Sequence, residues 1–67
     1  MKTTFSKVRV GKSFLKFYEG GRSIVWKKTS RTGAVIEALD YYRSEPDRKC
    51  IGNANSFSGF EQVVLTN

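Results

Sequence analysis

Lys12, Phe14, Lys16 and Tyr18 alternate with Ser13, Leu15 and Phe17. In an extended chain successive side chains point to opposite faces, so this spacing sets two cations and two rings side by side. Such a face suits nucleic acid. Lysines track phosphates while bases stack on flat rings, each stack being worth about 1–3 kcal/mol. The competing reading packs Phe14 and Tyr18 into the core and leaves the lysines solvated, because a short chain needs most of its aromatics inside. The run Lys27-Lys28-Thr29-Ser30-Arg31-Thr32-Gly33 adds cations, hydroxyls and backbone N–H groups, all suited to phosphate oxygens. It lacks the Gly-x4-Gly-Lys-Ser/Thr spacing of a nucleotide-hydrolysing loop, and a plain polar turn explains it as well.

Other chemistries find less support. Glu37, Asp40, Glu45 and Asp47 gather carboxylates, but their spacing fits no metal loop and no histidine stands in the chain to complete an acid–base pair. A solvated face that repels polyanions, or meets a basic protein, is the expected role. Cys50 is the only cysteine. It excludes an internal disulfide, fits a reducing cytoplasm, and reads as a small buried hydrophobe rather than a nucleophile, since a thiolate needs a nearby base. No metal and no cofactor are expected. No apolar run is long enough for a membrane span, and Met-Lys-Thr-Thr-Phe at the start carries no signal-peptide core, so a cytoplasmic location is expected.

The charge is unevenly spread. The 67 residues carry 12 Lys+Arg and 6 Asp+Glu, a net charge of +6. Residues 1–33 hold nine bases and one acid, a balance of +8. Residues 34–67 hold three bases and five acids, a balance of −2. A polarised surface of this kind raises the local potential and favours an anionic partner.

The elements that must position these groups are short. Gly20-Gly21 between two runs rich in aromatic and β-branched residues predicts a hairpin of Lys12 to Tyr18 with Ser23 to Thr29. Register follows from cost. Burying Lys12 and Lys16 unpaired costs more than burying the Ser13 hydroxyl, so Leu15 and Phe17 are expected to face the core. In the second strand Ile24 and Trp26 are expected inside, with Lys27 outward and Lys28 snorkelling at the strand end. Val8-Arg9-Val10 and Phe60 to Thr66 read as further strands. Gly33 to Arg43 fits either a strand or a short helix. The strand is preferred, paired in a long hairpin with Lys49-Cys50-Ile51. The sum is one mainly β domain over residues 1–67, a five-stranded SH3-like or OB-like barrel.

A pattern of Phe5-x4-Val10-Gly11-x2-Phe14, Trp26-x-Lys28-Thr29-Ser30-x3-Ala34 and Phe57-x5-Val63 resembles a group of short uncharacterised SH3-like β-barrel proteins of tailed phages and bacteria. The resemblance implies an SH3-like barrel and a phage or mobile-element origin. It implies no catalytic residue, since none is established for that group. Plasmid-borne type II dihydrofolate reductase is also a basic SH3-like barrel, but its Val-Gln-Ile-Tyr stretch has no counterpart in Glu61-Gln62-Val63-Val64.

These readings converge on a non-enzymatic domain that binds nucleic acid. Lys12, Lys16, Lys27, Lys28 and Arg31 are expected to supply charge, and Phe14 and Tyr18 stacking. The alternative is an interaction protein of phage or mobile-element type that docks on an acidic host-protein surface and modulates it.

Overall fold

The computed structural model describes residues 1–39 and 49–66. Its chain turns where glycine allows. Gly20 and Gly21 take φ of 78° and 76°, conformations that other residues rarely adopt. They reverse strand β2 (Ser13–Phe17) into strand β3 (Ser23–Lys28), with Phe14 opposite Trp26 and Leu15 opposite Val25. The expected hairpin is therefore present.

Residues 33–39 form strand β4 (Gly33–Leu39), as preferred over a helix, and pair antiparallel with β3. A bulge shifts the register between Val25 and Trp26. The remainder of the 33–43 expectation lies outside the described residues. The partner of β4 is not Lys49-Cys50-Ile51, which forms a turn, but strand β5 (Ala54–Ser56). Gly52 at φ 96° closes that turn, and the Gly52 and Asn53 backbones bond to Ile36 on either side.

Strand β6 (Gln62–Leu65) falls within the expected C-terminal strand and lies between β2 and strand β1 (Lys2–Thr4). Val8-Arg9-Val10 is not a strand. A 3₁₀ turn (Phe5–Lys7) leads into it, and the Lys12 N–H closes a further turn onto the Arg9 carbonyl at 3.0 Å. The result is one six-stranded antiparallel sheet in the order β1-β6-β2-β3-β4-β5. No α-helix occurs among the described residues, and no helix is long and apolar enough to cross a membrane. The outermost strands, β1 and β5, do not pair with each other, so hydrogen bonding leaves the sheet open.

The core explains the register of β2, which is the reverse of that expected. Phe14 is fully buried, while Phe17 stands 62% exposed on the other face with Leu15 half-buried beside it. Phe14 joins Phe5, Phe57 and Trp26 in a ring cluster. Phe5 stacks on Phe57 at 4.9 Å, and Phe14 and Trp26 each meet Phe57 edge-on at 5.5 and 4.9 Å. Such pairs contribute about 0.5–1.5 kcal/mol each beyond area burial. The feared cost of buried lysine does not arise. Lys12 precedes the strand, and Lys16 is neutralised by Glu61 at 3.0 Å.

Candidate nucleic-acid interface

Phe5 donates its N–H to Glu61 at the start of β6, and Gly11 donates to Lys28 at the end of β3. β6 and β3 run in the same direction, each being antiparallel to β2. The segment between these two bonds therefore crosses the core-facing side of the sheet from one end to the other. It buries Phe5 and Val8 beneath it and keeps Lys7 and Arg9 exposed.

Lys28 fastens this crossing. Its side chain points inward, opposite the fully buried Ala34, and is only 4% exposed. Its Nζ donates to the carbonyls of Phe5 at 2.9 Å and Val8 at 2.8 Å. It also sits 4.2 Å from the Phe5 ring centroid, a cation–π distance. Buried ammonium groups persist where hydrogen bonds replace water, and two carbonyls and a ring do so here. Lys28 was expected to snorkel into solvent. It is instead a strut.

The fastened segment borders a groove of about 230 Å³ lined by Lys7, Val8, Arg9, Lys12, Ser13 and Leu65. Three cations edge an apolar floor, and none of them is in an ion pair among the described residues. At the rim, the Ser13 hydroxyl donates to Glu37 Oε1 at 2.8 Å, so one carboxylate lies near. Lys27, exposed as expected, is paired with Ser13 across the hairpin. Arg31 is exposed in the turn that follows β3. Arg9, Lys12, Lys27 and Arg31 thus gather toward the end where β2 begins and β3 finishes. Glu19 and Glu61 lie at the opposite end, beside the finish of β2 and the start of β6.

The proposed stacking face is not assembled. Phe14 has no exposed surface to offer a base. Lys16 is held by Glu61 and lies 5.5 Å from the Phe57 ring centroid. Tyr18 is exposed, but beyond the far end of β2, a strand's length from Lys12. Of the predicted set, Lys12, Lys27 and Arg31 share one end, whereas Phe14 and Lys28 are interior and Lys16 is engaged. The loop from Lys27 to Gly33 also offers less than expected, because the N–H groups of Thr29 and Ser30 both donate to Gly33. Sequence reasoning missed Lys7 and Arg9. Gly11, which takes φ of 94°, was the available signal that a turn rather than a strand precedes β2.

The remaining candidates stand apart. Glu37 is exposed; Asp40, Glu45 and Asp47 lie outside the described residues. Cys50 is exposed in the turn before β5, not buried. No group of three potential metal-ligating side chains occurs among the described residues. Comparison with protein-family models, curated proteins and solved structures finds no match to this chain.

Proposed function

We propose that this chain is a non-enzymatic, SH3-like β-barrel domain that binds nucleic acid through phosphate contacts at its basic end. The observation that carries the reading is the groove edged by Lys7, Arg9 and Lys12, with no carboxylate among its lining residues. Lys27 and Arg31 extend the same positive end. Lysine and arginine side chains pair with phosphate oxygens without reading bases. Ring stacking by Phe14 has no part in this mode, because Phe14 is a core residue. Support for the barrel comes from Phe5 and Phe57. They follow the two outermost strands and stack on each other, and the Ser6 N–H donates to Gly59 at 2.8 Å beside them.

Fluorescence anisotropy with a labelled 20-nucleotide single strand and its duplex, between 50 and 200 mM salt, tests the reading. Affinity should fall steeply, with a log–log slope of about −0.7 to −0.9 per phosphate contacted. The triple variant Lys7→Gln, Arg9→Gln, Lys12→Gln should flatten that slope by about 2 or more while leaving the fold intact. A slope near zero for the parent protein, or an unchanged slope in the triple variant, rules the site out.

A further inference from the structure

The side of the sheet facing away from the core carries a second surface of different chemistry. Register places Val64, Leu15, Val25 and Ala38 in one continuous row across β6, β2, β3 and β4, with Lys2 of β1 at its end. All four apolar side chains are only half-buried, and Phe17 projects beside them, 62% exposed. A groove of about 270 Å³ opens here, lined by Lys2, Leu15, Phe17, Gln62, Val63 and Val64. An antiparallel sheet with one solvated face ordinarily shows polar side chains on it. A contiguous apolar patch marks a binding surface instead.

Charge selects the occupant. Lys2 is the only ionisable side chain lining the groove. Glu37, on the same strand as Ala38, accepts a hydrogen bond from Ser13 and is not among the residues lining the groove. A second copy of a chain with net charge +6 would bring like charges together. We infer that this face docks an extended segment of an acidic protein, seating one apolar side chain between Leu15 and Phe17 and one carboxylate against Lys2. Lys2 and Leu15 are two strands apart, roughly 10 Å, so the carboxylate belongs two or three residues from the apolar anchor. This surface is separate from the phosphate groove, and the two proposals stand or fall independently.

A displayed library of random twelve-residue peptides, panned on the protein and counter-selected on the Phe17→Ser variant, tests the inference. Enriched sequences should pair Leu, Ile or Phe with Asp or Glu at that spacing. A peptide of the enriched class should shift the amide resonances of Lys2, Leu15, Phe17 and Val64. Phe17→Ser should weaken it about tenfold or more, and Lys2→Glu by a smaller factor. Both variants change exposed side chains, and Phe17→Ser should keep the parent's nucleic-acid affinity to within a small factor. Enrichment of basic or uncharged sequences, no enrichment, equal binding to Phe17→Ser, or shifts centred on Lys7 to Lys12 would each overturn it. So would a dimer in sedimentation equilibrium that Phe17→Ser dissolves, since a second copy would then occupy the face.

Discussion

The two faces of β2 have exchanged their expected roles, whereas those of β3, its partner in the hairpin, have kept theirs. The inner face carries Phe14 and Trp26 together with two lysines, Lys16 and Lys28. The outer face carries Leu15, Phe17 and Val25 with little to cover them. Within β2 alone, counting apolar residues would choose the second face for the core, with Leu15 and Phe17 against Phe14. The molecule chooses the first, because its rings complete a cluster with Phe5 and Phe57 and each lysine meets a defined partner. The lesson is that a lysine forbids burial only where nothing answers its charge.

Three substitutions sharpen that contrast. The largest effect belongs to Phe57, which touches three rings. Phe57→Ala should cost about 3–5 kcal/mol. A domain of this size holds only about 3–10 kcal/mol of stability in total. Loss of a cooperative melting transition is the expected outcome, and a Tm within a few degrees of the parent would contradict the cluster's role. Next comes Lys28→Met, which keeps the apolar stem but strips the donor from the Val8 carbonyl. It should cost about 1–3 kcal/mol, read as a lower urea midpoint with unchanged slope. An unshifted midpoint would mean that the strut carries no weight. Lys16→Met should change stability least, by about 1 kcal/mol or less, because the Lys16–Glu61 pair is partly open to water. A loss as large as that of Lys28→Met would show that the two inner lysines are equivalent, and the distinction drawn between them would fall.

Much of this architecture was legible in local sequence. Gly20-Gly21 placed the hairpin, alternation from Gly33 favoured β4 over a helix, and Trp26 with Ile24 indicated the inner side of β3. The register of β2 was not legible, because the residue that answers Lys16 is Glu61, 45 positions away. Phe57 was equally opaque. It stands alone in a polar stretch with no periodicity, and only the packed structure reveals it as the hub. For the candidate site, exposed Lys12, Lys27 and Arg31 could be named from local pattern. The turn that brings Lys7 and Arg9 to them was hidden, since Val8-Arg9-Val10 alternates like a strand. Local periodicity reports on strands; it says nothing of a segment laid across a sheet.

The tie from Lys28 to Phe5 and Val8 has a thermodynamic consequence. The backbone bearing Lys7 and Arg9 is set in place when the domain folds, so a polyanion at the proposed phosphate site would meet a rim already arranged, with no loop to freeze on contact. Association at that rim should proceed with a small heat-capacity change, unlike that of a flexible basic tail that folds as it binds.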